Sequence, residues 1–97
     1  MIMRKLYSVS YDLRQPGRDY EDLYVAIQNC GSYFHALEST WFVRSELSAN
    51  DIYERLKDHK DANDHVVISE VNSVNQQGWM MRTFWEWISD ESKPSVK

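Results

Sequence analysis

Cysteine occurs once in the 97 residues, at Cys30. A lone thiol closes no internal disulfide and anchors no metal cluster, which excludes a disulfide-stapled secreted scaffold and predicts a cytoplasmic protein. The three glycines, Gly17, Gly31 and Gly78, are scattered, so there is no glycine-rich loop to cradle the phosphates of a nucleotide substrate. No apolar run approaches the roughly 18 residues of a membrane span, and no segment resembles a signal peptide. His35, His59 and His65 lack HxH, HxxxH or HExxH spacing, which argues against a zinc site. The serines form no GxSxG elbow, so classical hydrolase chemistry is unsupported. Basic charge is also scarce: 11 Lys and Arg face 15 Asp and Glu, for a net charge of −4. Nucleic-acid coating through charge alone relies on an excess of cations, so the balance disfavours it.

What is present is the composition of one small globular domain, residues 1–97, with 42% hydrophobic and 13% aromatic residues. A chain this short buries only about 60–65% of its unfolded surface, so a dimer that hides more would stabilise it. Tyr7, Val9, Tyr11 and Leu13 alternate with Leu6, Ser8, Ser10 and Asp12, the period of a strand with two different faces. Pro16-Gly17 marks the turn after it. Asp19 is a candidate helix N-cap, followed by Glu21 and Asp22 where the helix dipole favours negative charge. Tyr20, Leu23, Tyr24, Ile27 and Cys30 share one side of that helix, and Gly31 is its expected stop.

Ser32–Leu37 and Thr40–Leu47 read as antiparallel strands joined at Glu38-Ser39. Ser48 and Asp51 form a capping-box pattern that opens a second helix with Ile52, Tyr53 and Leu56 inward. The turn-forming run Asp61-Ala62-Asn63-Asp64 ends it. His65–Val71 is a further strand, and the run Val66-Val67-Ile68 suits a central, two-sided position. After a polar loop, Trp79, Met80, Phe84, Trp87 and Ile88 recur at helical spacing, with an edge strand as the alternative. The tail Asp90–Lys97 is expected to fray.

The order β-α-β-β-α-β with right-handed crossovers predicts an α+β, ferredoxin-like sheet with both helices on one face and a short C-terminal aromatic helix or edge strand appended. The opposite face must then be polar, covered by the tail, or paired with a second subunit. Its small residues on the first strand, Ser8 and Ser10, would let another sheet approach closely.

A strand ending in Tyr11-Asp12-Leu13, the β-α-β-β-α-β order, and the segment STWFVRSELSA at Ser39–Ala49 resemble the CRISPR-associated Cas-two family. More closely, they resemble small Cas-two-like bacterial and phage proteins labelled SinR-family. The likeness runs from Arg4 to Val71. It implies a homodimer formed by sheet-to-sheet packing, with Asp12 near the two-fold axis. In members that cut nucleic acid, two such carboxylates hold a divalent metal, so Asp12 is the implied catalytic and metal residue, with Mg²⁺ or Mn²⁺ as cofactor. Many members bind nucleic acid or proteins without cutting. The chain departs from the pattern in its acidic balance and in its aromatic segment after Val71, where a pairing strand is usual.

For Asp12, the plainer role is to cap the turn or pair with Arg14 or Arg18. Arg14 and Arg18 are the candidate phosphate contacts, weighed against surface ion pairing to Asp12 or Asp19. Arg4 and Lys5 complete a basic N-terminal group whose bland reading is solvated charge. Trp79, Phe84, Trp85 and Trp87 are candidate interface residues alongside Ser8 and Ser10, weighed against completion of the core. Base stacking on those rings is a weaker third use. The preferred reading is a non-catalytic homodimeric interaction module in bacterial or phage defence, engaging a protein partner through an acidic and aromatic surface. The alternative is a metal-dependent endonuclease of Cas-two or VapD-like type with paired Asp12.

Overall fold

The computed structural model describes residues 3–97. The period-two alternation forms β1 (Lys5–Asp12), which sends Tyr7, Val9 and Tyr11 into a core. The remaining elements are α1 (Glu21–Gln28), β2 (Ser32–Leu37), β3 (Thr40–Ser45), α2 (Ala49–Leu56), β4 (His65–Glu70) and α3 (Arg82–Ser89). The four strands form one antiparallel sheet in the order β2-β3-β1-β4, an α+β arrangement compatible with a ferredoxin-like fold.

Two helices share one face of the sheet. Leu23 and Ile27 of α1 and Ile52 and Leu56 of α2 pack with Val9, Tyr11, Trp41 and Val43 in a single apolar cluster. Burial of these side chains is the main favourable term in a domain of this size. Ser48 caps α2 as the sequence predicts, with Asp51 N donating to Ser48 Oγ at 3.1 Å and Ser48 N donating back to the Asp51 carboxylate. At α1 the start is one residue later: Tyr20 takes the cap position, and the Asp19 carboxylate accepts from Glu21 N at 2.9 Å. Gly31 is not a left-handed helix stop, since Gly17 is the residue with positive φ among those described. It is needed for close approach instead. A Cβ at Gly31 would stand 2.9 Å from the Arg44 carbonyl carbon and overlap its oxygen.

Three expectations change, the first of them on the other face. The C-terminal segment does form a helix, but it lies across this face, so the sheet is not left bare there. Phe84, Trp87 and Ile88 of α3 bury against Leu6 and Phe34, with Phe42 and Val71 alongside. The cover stops short of β4, whose Val67 remains 60% exposed. Second, β4 is an edge strand rather than a central one, because it pairs with β1 on one side and has no neighbour on the other among the described residues. The apolar run Val66-Val67-Ile68 has a local reason, since Val66 and Ile68 pack on the helix-covered core. Third, the tail is held rather than frayed. His35 N donates to Val96 O, and Val96 N to Tyr33 O, both at 2.9 Å, while Tyr33 N donates to Ser95 Oγ at 3.0 Å. These bonds place Val96 in a parallel bridge beside Phe34, covering part of the β2 edge.

Candidate functional site

β1 ends at Asp12, which stands opposite His65 on β4. Its carboxylate accepts from Arg14 Nη2 at 2.6 Å, and the side chain is 59% exposed. Exposed pairs of this kind contribute well under 1 kcal/mol, so the bond orients Asp12 more than it stabilises the fold. A hard divalent cation takes about six oxygen ligands. Within one chain, Asp12 offers a single carboxylate already held by a guanidinium, and the residues of this chain alone do not fit such an ion. Among the described residues no group of three or more His, Cys, Asp or Glu side chains gathers.

Arg18 lies apart from Arg14. Its guanidinium pairs with Asp61, donates to His59 O and stands 5.0 Å from the Tyr20 ring centroid. The two arginines are thus brought onto one loop but each is held by its own carboxylate. That loop is fixed by a residue that sequence reasoning passed over as part of a turn. Asp64 is only 2% exposed. It accepts from Arg14 N at 2.6 Å, Asp61 N at 2.9 Å and the Tyr20 hydroxyl at 2.8 Å. Burial alone would raise its pKa. The Arg14 and Asp61 amides, the Tyr20 hydroxyl and the nearby Arg18 charge outweigh burial and hold it below the ordinary carboxylate value. A turn acid just before a strand is the only sequence signal, and it is shared by many ordinary turns.

The four aromatic candidates separate. Phe84 and Trp87 are buried against the chain's own sheet, with Phe34 edge-on to both rings at centroid distances of 5.4 and 5.8 Å. Trp85 is half-buried beside Phe84. Trp79 lies before α3 rather than within it and is 99% exposed. Together with Leu37, Phe42, Gln76, Phe84 and Trp85 it lines a cleft of 450 Å³.

Ser8 and Ser10 are half-buried on the uncovered part of the sheet, where Ser10 Oγ lies 3.0 Å from Thr40 Oγ1. Beside them on β4 stand Val67 and Ser69, both exposed. The result is a strip of small side chains that ends at Asp12 and His65 and is bordered by the free edge of β4. No helix among the described residues is long and apolar enough to cross a membrane. No family model matches this chain, and neither a curated protein nor a solved structure matches it.

Proposed function

We propose that this chain is a homodimeric interaction module of Cas-two-like type with a ferredoxin-like β-α-β-β-α-β core to which α3 is appended. It works by binding rather than by catalysis. The observation that carries this reading is the strip formed by Ser8, Ser10, Val67 and Ser69 beside the unpaired edge of β4. A sheet with an uncovered, small-residue surface and an open edge favours a partner sheet, and a second copy supplies one by symmetry. Trp79, projecting outside the strip, is the contact for a protein partner, since exposed tryptophans commonly anchor interfaces. The role in bacterial or phage defence rests on the resemblance of the 39–49 segment and the β1 terminus alone.

Light scattering at micromolar concentration tests the dimer. The expected result is twice the chain mass, reverting to one chain in Ser10→Arg with an unchanged circular dichroism spectrum. A monomeric parent, or a Ser10→Arg protein that stays dimeric, refutes it.

One observation favours the endonuclease alternative: Asp12 is exposed at the end of the same strip. In a two-fold dimer whose axis passes close to Asp12, as the family resemblance implies, two such carboxylates face one another. Incubation with single-stranded RNA and duplex DNA, in Mg²⁺ or Mn²⁺ and then with EDTA, separates the readings. Metal-dependent cutting that is lost in Asp12→Ala overturns the non-catalytic reading.

A further inference from the structure

The basic group at the N-terminus divides in the folded chain. Arg14 and Arg18 turn toward carboxylates, whereas Arg4 and Lys5 line a different region, a cleft of 870 Å³ that also contains Arg44. Arg44 is the unusual member, because it is a cation only 3% exposed. Its Nη2 donates to the Trp87 and Ile88 carbonyls at 2.9 and 2.7 Å, and its guanidinium lies 4.3 Å from the Trp87 ring centroid. These contacts cap the end of α3 but supply no negative charge. Arg44 Nη1 is buried without any acceptor, and no carboxylate lies within ion-pair distance of Arg44 among the described residues.

Arg4 stands in the same position electrostatically. Its guanidinium donates to two neutral oxygens, Ser32 Oγ at 2.9 Å and the Glu91 carbonyl at 3.1 Å, and to no carboxylate. Arg4 and Arg44 both line the large cleft and a second one of 320 Å³ that reaches Arg55, so the pair stands between the two. Around the large cleft the three cations Arg4, Lys5 and Arg44 face the two carboxylates Glu70 and Glu91, with Asp90 also near Arg44, and none of these carboxylates bonds either guanidinium. A buried cation of this kind is costly unless an anion completes it.

We propose that the cleft formed by Arg4, Lys5 and Arg44 binds a small phosphate monoester. One phosphate supplies the acceptor that Arg44 Nη1 lacks and a charged acceptor for Arg4 in place of its neutral ones. Leu6, Val71 and Ile88 give the cleft an apolar wall for the organic part, and Asn72 and Ser73 add polar groups at its rim. The volume lies within the usual range of about 300–1,000 Å³ for small-molecule sites. Glu70 and Glu91 also line the cleft and limit how much negative charge it takes, which favours a single phosphate over a polyphosphate. Nη1 is closed to solvent, so binding requires a local opening around it, and Arg4, exposed and held only by neutral acceptors, is free to turn toward the anion.

The test uses the full chain with adenosine monophosphate as probe and inorganic phosphate and adenosine as comparisons, at ionic strength matched with KCl. Calorimetry should show saturable binding of the monophosphate and weaker binding of free phosphate. Adenosine should show none. Arg4→Gln should weaken the monophosphate about tenfold, the scale of one charge-assisted contact. Arg44→Lys should weaken it further, and Arg4→Gln keeps the test independent of whether the Arg44 variant folds. Binding of adenosine as tight as that of the monophosphate overturns the proposal. So does an unchanged affinity in Arg4→Gln, or a phosphate effect equal to that of matched KCl.

Discussion

Replacing Asp64 by Ala removes the acceptor for three donors at once: the Arg14 amide, the Asp61 amide and the Tyr20 hydroxyl. The residue is 2% exposed, so water reaches the vacated position poorly. Each buried donor left without a partner costs about 1–3 kcal/mol, and some relaxation of the loop recovers part of that, giving a loss of about 3–5 kcal/mol. A domain of this length has a total stability of about 5–15 kcal/mol, so the variant is expected to be marginal. Asp64→Asn keeps one oxygen and places an amide opposite a backbone N–H, with a loss of about 1–3 kcal/mol. Urea unfolding followed by tryptophan fluorescence at neutral pH measures both, through a lower midpoint at unchanged slope. The pH dependence provides a second reading of the same bonds. The folded pKa of Asp64 lies below its unfolded value. Its stabilisation is therefore complete above the unfolded value of about 3.9 and is lost as pH falls through the folded value. The parent should lose stability more steeply than Asp64→Asn below about pH 4. A loss under about 1 kcal/mol in Asp64→Ala refutes the assignment of this carboxylate as the anchor of the loop.

Gly31→Ala forces a methyl group onto the Arg44 carbonyl and is expected to cost about 1–3 kcal/mol of stability by thermal denaturation; a neutral outcome rejects the close approach. Burial of the Tyr11 ring is the main reason its pKa is pushed up to about 12. That raised value gives stability that is whole below the unfolded pKa of about 10 and disappears as pH rises through the folded one. Absorbance of the phenolate should show at least one tyrosine that ionises together with alkaline unfolding, and its absence in Tyr11→Phe identifies the group. Deleting Ser95–Lys97 exposes the amides of Tyr33 and His35, which should then exchange with deuterium faster in NMR spectra. Unchanged exchange at both positions contradicts the tail bridge.

Elements that follow from neighbouring residues were legible before folding. The alternation of Tyr7, Val9 and Tyr11, the Ser48–Asp51 capping box and the Glu38-Ser39 turn each involve residues a few positions apart, where spacing alone carries the information. Features missed or misplaced depend on partners distant in the chain. Val66-Val67-Ile68 reads as central because three apolar residues in a row suggest two covered faces, but which strand is at an edge is decided by the whole topology. The aromatic stripe of α3 was readable, whereas its seat on Leu6 and Phe34 required the sheet to exist first. Gly31 gives no local sign that a strand 13 residues later crosses it closely. Asp64 and Arg44 show the same limit for polar groups. Their chemistry lies in burial and in partners up to 50 positions away, neither of which spacing encodes.

The position of α3 has a consequence for how the protein is made. Synthesis completes the first apolar cluster when β4 emerges, but Leu6, Phe34 and Phe42 stay uncovered until α3 has followed it. A nascent or prematurely ended chain that stops before Arg82 therefore carries an oily sheet surface with nothing to cover it. Such fragments are natural clients for chaperones and proteases, so the closing helix certifies that translation has passed through this domain.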